Sequence, residues 1–228
     1  MQTRSLKVAG ALEFTPPVYR DERGLFVSPF QESVLAEATG RRLFPVSQIS
    51  FSSSREGVVR GIHYTTVPPG TAKYVYCPRG RARDFVIDLR TGSPTFGQWD
   101  SVLLDTEHFR ALYLPVGVGH AFAALTDDTV MAYTMSTEYV AAQELAVSVL
   151  DPALGLPLPD SAAKLLSERD RIAPTLTEAR ARGLLPDYHR CLAAEAALAG
   201  RPGPRARLTA AGPGTPGRTP GPPDPARG

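Results

Sequence analysis

Cysteine is nearly absent: Cys77 and Cys191 are the only two in 228 residues. That excludes a disulfide framework, and two thiolates without histidine help do not complete a zinc site. No apolar run reaches the length of about eighteen residues that a membrane helix needs. Met1–Ala9 lacks the apolar stretch of a secretory leader. A soluble, cytoplasmic protein with no membrane partner is therefore expected. Also missing is a Gly-rich strand–turn–helix fingerprint, which argues against a Rossmann or P-loop nucleotide site. Charge of one sign is missing too: 25 Lys and Arg face 23 Asp and Glu, a net of +2. The excess sits at the end, where residues 201–228 hold five Arg and one Asp. The preceding 200 residues are thus near −2, and nothing points to nucleic-acid binding.

What is present divides the chain into three parts. Half of residues 201–228 are Pro or Gly, a composition that cannot offset its own ordering entropy, so this tail is expected to be disordered. Residues 189–200 are expected to form a short helical extension, with the Ala- and Leu-rich Cys191–Ala199 as its helix. Residues 1–188 are expected to form one domain, closing with a short helix over Thr177–Gly183 that Gly183 and Pro186 end. From about Val46 to Val149, short runs alternate with period two between turn residues. Asp84–Leu89, Trp99–Leu104, Ala111–Val116 and Thr129–Ser136 are strand candidates, and Gly92-Ser93-Pro94 and Thr126-Asp127-Asp128 mark turns. In Asp84–Leu89, Phe85, Ile87 and Leu89 share one face and Asp84, Val86 and Asp88 the other. Many short strands at this spacing predict a mainly β protein, a sandwich or barrel, with a jelly roll as one solution.

Two clusters could carry chemistry. One is Arg60-Gly61-Ile62-His63-Tyr64 with Lys73-Tyr74-Val75-Tyr76. The other, Leu114 to Phe122, contains Pro115-Val116-Gly117-Val118-Gly119-His120 and resembles the P-x-G-x-x-H segment of cupins. Metal-binding cupins gather three His and one Glu. Here Thr65 stands where the second His would be, and Pro68, Pro69 and Gly70 stand near the Glu position. Two histidines alone make a poor divalent-cation site, so no metal and no cofactor is expected.

The string R-G-x-H-Y-x-x-x-P-x-x-x-x-K-Y-V, Arg60 through Val75, resembles the dTDP-4-dehydrorhamnose 3,5-epimerase family. Asp21-Glu22-Arg23-Gly24-Leu25-Phe26 is similar to its D-x-R-G-x-F. Asp88-Leu89-Arg90 with Ser93-Pro94-Thr95-Phe96-Gly97, Pro115–Phe122, Asp151–Leu156 and Ser167-Glu168-Arg169-Asp170 continue the pattern in order. The likeness spans roughly residues 5–188 and looks nearest to the 5-epimerases of antibiotic-sugar pathways. It implies a cupin-type jelly roll with short C-terminal helices and a dTDP-linked 4-keto-6-deoxyhexose as substrate, epimerised at C5, C3 or both.

The resemblance also implies roles. His63 would be the base, since imidazole titrates near neutrality, and Asp170 would orient it. Lys73 would stabilise the enolate oxygen, and Tyr133 would deliver a proton from the opposite face. Arg23 and Arg60 would bind phosphates through forked hydrogen bonds. Gln48, Phe26, Tyr139, His120, Glu144 and Arg169 fill further binding positions. A homodimer is implied, with the N-terminal arm carrying Arg23 toward the neighbour's site. The chain departs from the family pattern at Ser28 (usually Glu), Ser50 (usually Asn) and Arg169 (usually Lys). Taken singly, the residues have plainer readings: Lys73 as a sheet-edge lysine, Tyr133 as core and Asp170 as a turn cap. The competing functions are a sugar-nucleotide 3,4-ketoisomerase, a metal-dependent cupin oxygenase and a non-catalytic dTDP-sugar-binding cupin.

Overall fold

The computed structural model describes residues 1–160, 162 and 165–199; the tail expected to be disordered, 201–228, lies outside them. Thirteen strands and four α-helices are described. The strands are β1 (Gln2–Ser5), β2 (Leu12–Thr15), β3 (Val18–Asp21), β4 (Gly24–Val27), β5 (Gln48–Ser54), β6 (Val59–Thr65) and β7 (Lys73–Arg79). They continue with β8 (Arg81–Asp88), β9 (Trp99–Asp105), β10 (Ala111–Leu114), β11 (Val118–Ala124), β12 (Thr129–Met135) and β13 (Glu144–Ala146). The helices are α1 (Glu32–Thr39), α2 (Glu168–Arg171), α3 (Leu176–Ala181) and α4 (Tyr188–Ala199).

Two antiparallel sheets face each other, one of six strands in the order β1-β2-β10-β7-β12-β5 and one of five in the order β13-β6-β11-β8-β9. The connections jump between the sheets, which makes this the jelly roll expected from the strand pattern. β3 and β4 form a separate hairpin.

Period-two alternation here separates two buried faces. The inward face of each sheet supplies Val75, Val86, Leu104, Leu112, Phe122 and Met131, which pack together between the sheets. The outer face of the five-stranded sheet carries Phe85, Ile87 and Leu89, and the chain after β13 covers it through Val147, Val149, Leu154, Leu166 and Ala179. The outer face of the six-stranded sheet carries Phe14, Tyr74, Ala111 and Tyr113, covered by Leu35 of α1 and by Cys191 and Leu198 of α4. Each large apolar side chain so buried stabilises the fold by about 1.5–3 kcal/mol. β8 is consequently buried on both sides, and Asp84 and Asp88 are as buried as Phe85.

Polar motifs pin the loops. Asp88 accepts hydrogen bonds from Arg90 Nη2 at 2.8 Å and from the Ser93 and Thr95 hydroxyls at 2.6 Å, so the D-x-R-x-x-S-P-T string builds a turn. Asp151 accepts the Ala153 and Leu176 amides at 2.9 and 2.7 Å, tying its turn to the start of α3. α3 begins with a capping box between Thr175 and Glu178. α4 starts at Tyr188, three residues before the expected start. Asp187 accepts the Arg190 amide at 2.9 Å as an N-cap does, and the Tyr188 ring lies 5.0 Å from the buried Arg90 guanidinium. Glu195 of α4 is buried and accepts the Val116 amide at 2.9 Å, the Tyr113 hydroxyl and the Arg41 guanidinium.

Candidate active site

Residues paired across a ladder point to the same side, so register places the site. His63 of β6 pairs with His120 of β11, and His120 pairs with inward-facing Val86. On the opposite sheet, Tyr133 pairs with inward-facing Val75 on one side and Ser50 on the other, while Lys73 pairs with Met135. The two sets meet in a cavity of about 250 Å³, lined by Gln48, Ser50, Arg60, His63, Lys73, His120, Phe122, Tyr133, Met135, Tyr139, Glu144 and Arg169. His63 and Tyr133 therefore face one space from opposite sheets. A second cavity of about 610 Å³ adjoins it past His63, Arg60 and Arg169 and reaches Arg55 and Asp170.

His63 is held from behind. Asp170 Oδ1 lies 2.6 Å from its Nε2. Asp170 is set by Ser167, whose hydroxyl accepts the Asp170 amide at 3.2 Å as the N-cap of α2. Burial pushes the Asp170 carboxyl up, but His63 and the Gly61 amide outweigh it and hold the group below the usual carboxylate range. His63 is lowered from its ordinary value: burial dominates, Asp170 opposes it, and Arg169 and Lys73 add to it. Arg169 Nη2 also lies 2.8 Å from His63 Nε2. Gly61, two residues before His63, has φ +119°, and a Cβ there would lie 2.5 Å from the His120 carbonyl oxygen and from Ala121 Cβ. Only glycine fits this approach of β6 to β11.

Across the cavity, burial lowers the Lys73 ammonium, with Glu144 opposing. Glu144 itself accepts a hydrogen bond from Thr65 at 3.3 Å. Burial raises the Tyr133 phenol well above its usual value, so it is protonated at neutral pH, and it shares a 3.1 Å hydrogen bond with the Ser52 hydroxyl. The His120 ring stands edge-on to Tyr133 at 6.0 Å, with its Nε2 2.7 Å from Asp84 Oδ2. Asp84 is fully buried, its Oδ1 has no hydrogen-bond partner among the described residues, and burial raises its carboxyl.

Toward the mouth, Arg60 donates to the Ser54 hydroxyl at 3.1 Å and the Ser53 carbonyl at 3.2 Å. Gln48 donates to Ser50 at 2.8 Å and accepts the Tyr139 amide at 2.7 Å. Nine of the twelve candidate catalytic and binding residues thus line one cavity, together with Ser50, and Asp170 stands directly behind them. Arg23 and Phe26 do not join them within one chain. Both sit on the exposed β3–β4 hairpin, where Arg23 pairs with Asp21 at 2.5 Å and Phe26 is 68% exposed. Sequence reasoning missed Asp84, Ser52, Phe122 and Met135. An acid directly ahead of the apolar run Phe85-Val86-Ile87 was the available signal for Asp84. Among the described residues, one group of three potential metal ligands comes within 4.8 Å, Asp105, Glu107 and His108. It lies outside the cavity, and its Asp105 carboxylate already accepts the amides of Glu107 and His108.

The sequence model described as dTDP-4-dehydrorhamnose 3,5-epimerase matches residues 5–178. A dTDP-4-dehydrorhamnose 3,5-epimerase of Mycolicibacterium smegmatis is 45% identical over 193 residues, covering 85% of this chain and 94% of that one. A dTDP-4-dehydro-6-deoxyglucose 3-epimerase of Streptomyces bikiniensis is 46% identical over 183 residues, covering 80% and 93%. Among solved structures, a 4-keto-6-deoxy sugar epimerase from the novobiocin gene cluster of Streptomyces spheroides superposes with a TM-score of 0.80 at 46% identity, covering 84% and 95%. The S. bikiniensis 3'-monoepimerase in complex with dTDP-quinovose gives 0.79 at 44%, covering 85% and 97%. With its jelly roll, its interior cavity and these likenesses, the chain belongs to the dTDP-4-dehydrorhamnose 3,5-epimerase family of cupin-fold isomerases.

Proposed function

We propose that this chain epimerises C5, C3 or both of a dTDP-linked 4-keto-6-deoxyhexose, in deoxysugar assembly of the kind antibiotic pathways use. The observation that carries the reading is the placing of His63 and Tyr133 on opposite sheets of one cavity that also holds Lys73. Protons next to a ketone are acidic enough to remove once the resulting enolate is stabilised. With Nε2–H donated to Asp170, His63 Nδ1 keeps its lone pair and takes the proton on one face of the ring. The electron pair of the broken C–H bond moves to the C4 oxygen, where the Lys73 ammonium stabilises it. The Tyr133 hydroxyl gives its proton to the same carbon from the other face, and the centre inverts. Positioned acid–base groups contribute about 10²–10⁴-fold and one oxyanion donor about 10²–10³-fold. The reaction is redox-neutral, so the proposal requires no cofactor. Arg60, Arg169, Gln48, Tyr139, Glu144 and His120 bind the substrate around these groups.

The working form is a homodimer in the cytoplasm. Two free, buried thiols suit that compartment, and no described helix is long and apolar enough to cross a membrane. β5 is an edge strand with Ile49 62% and Phe51 65% exposed, and the hairpin exposes Tyr19, Leu25 and Phe26. A second copy covering these surfaces would bring Arg23 and Phe26 toward a site they do not reach in their own chain. Incubation with dTDP-4-keto-6-deoxyglucose in D₂O, followed by NMR, tests the proposal. Deuterium at C3 or C5 with inversion is expected. Intact exchange in His63→Ala, or migration of the keto group, would overturn it.

A further inference from the structure

His63 Nε2 has two neighbours that cannot both be served. Asp170 Oδ1 at 2.6 Å needs this nitrogen to carry a proton. Arg169 Nη2 at 2.8 Å, a guanidinium that can only donate, needs it to carry a lone pair. A neutral imidazole has one N–H and one lone pair, so each neighbour selects a different tautomer. His63 Nδ1 has no hydrogen-bond partner among the described residues, and nothing on that side decides the choice. We propose that Arg169 is a positioning residue that holds the imidazole in its unreactive tautomer while the site is empty, and that a diphosphate-bearing ligand draws it away and so arms the base.

The two tautomers differ in what they can do. When Nε2 accepts from Arg169, the proton resides on Nδ1 and neither nitrogen can take a proton from a sugar carbon. When Arg169 leaves, Nε2–H turns to Asp170 and Nδ1 becomes the free acceptor. Arg169 is able to leave. Its side chain is 42% exposed, and its nearest carboxylate contact is a loose 3.8 Å to Asp170. It borders both cavities, in company with Arg60, and Arg55 lines the second. Three guanidiniums around one opening form an anion site, and a diphosphate on C1 lies within one side-chain length of a base working at C3 or C5. Besides these arginines, the charged or titratable groups that share the cavity with the imidazole are Lys73 of β7, His120 of β11, Tyr133 of β12, Tyr139, and Glu144 of β13. The chain's departure from the family's Lys at this position matters, because a planar fork can aim one N–H at the imidazole while offering others to a phosphate.

The inference rests on the epimerase reading for its consequence but not for its test. In full-length chain labelled with ¹⁵N at histidine, long-range ¹H–¹⁵N spectra report which nitrogen is protonated; a His63→Asn sample assigns the signals. At about pH 8 the ring is neutral, its ordinary value being about 6.5. Free enzyme should show Nδ1–H, saturation with dTDP should move the proton to Nε2, and Arg169→Gln should show Nε2–H without ligand. Unchanged His120 signals confirm that the variant is folded. The same tautomer in free wild type and Arg169→Gln overturns the lock, and no change with dTDP overturns the release. Kinetically, Arg169→Gln should raise KM about 10- to 100-fold, the loss of one charged hydrogen bond, with a much smaller effect on kcat, and Arg169→Lys should recover part of KM. Absence of solvent exchange in wild type would sink the epimerase reading instead, and the spectra would still report on the lock.

Discussion

Replacing Asp170 by Asn keeps the shape behind His63 and removes the charge. The pair is poorly screened, since the His63 side chain is 23% exposed and that of Asp170 only 2%. An opposite charge this close moves a pKa by about 1–3 units, and each unit corresponds to about 1.4 kcal/mol. The imidazolium formed on proton abstraction loses that support, so kcat should fall about 10- to 1000-fold. The direction of the pH effect follows from the signs. Burial already lowers His63, and Asp170 is the group that raises it. Without the carboxylate His63 falls further, and the acid limb of kcat/KM, which requires neutral imidazole, moves to lower pH. Asp170 itself is depressed in the folded chain. Its stabilisation is therefore present above the unfolded carboxylate value of about 3.9 and is lost as pH falls through the folded value. With dTDP bound, when His63 Nε2–H is turned to Asp170, the Tm gap between wild type and Asp170→Asn should be open at pH 7 and close in acid. Rates of H3 and H5 exchange in D₂O across pH, with thermal melts, measure all three. An acid limb that stays put or moves up, or a kcat within twofold of wild type, would show that the carboxylate does not act on the base.

Tyr133→Phe should leave base-side exchange running while inverted product drops about 10²–10⁴-fold; NMR that separates deuterium incorporation from inversion reads the difference. Lys73→Met should lower kcat about 10²–10³-fold with the fold intact by circular dichroism. Gly61→Ala forces a Cβ onto the β11 backbone and should cost about 1–3 kcal/mol in urea unfolding, with activity lost as His63 shifts. Light scattering should find a dimer, and lysine at both Ile49 and Phe51 should convert it to monomer and raise KM through loss of the neighbour's Arg23.

The sequence made the strands legible because their alternation survives in the ladders: Trp99–Leu104 and Thr129–Ser136 fall within one residue of β9 and β12. Alternation did not reveal that both faces of β8 are covered, since closure of the jelly roll turns one inward and the chain after β13 hides the other. That is why Asp84 carried no sign of burial in the sequence and its bond to His120 went unseen. Asp170 and His63 are 107 residues apart, and no local pattern joins them; the family likeness alone brought them together. The Ala- and Leu-rich composition of Cys191–Ala199 was visible, but the helix's true start rests on the local cap from Asp187 and on Tyr188 packing against Arg90, a contact with a distant segment. Arg23 and Phe26 were legible as a motif and not as a place, because one chain gives the hairpin nothing to lie against.

α4 lies beyond residues 5–178, which the family's sequence model matches, yet it acts as a wall of the domain. Stopping the chain at Asp187 would leave the Tyr113 hydroxyl and the Val116 amide without an acceptor and strip Cys191 and Leu198 from the layer over the six-stranded sheet. The same Val116 stands in the loop that leads into β11, so the damage would travel along one strand to His120. Anyone trimming this enzyme for crystals or fusion should cut after Ala199, because ending it where the family model ends would unroof the outer face of the sheet that carries Lys73 and Tyr133.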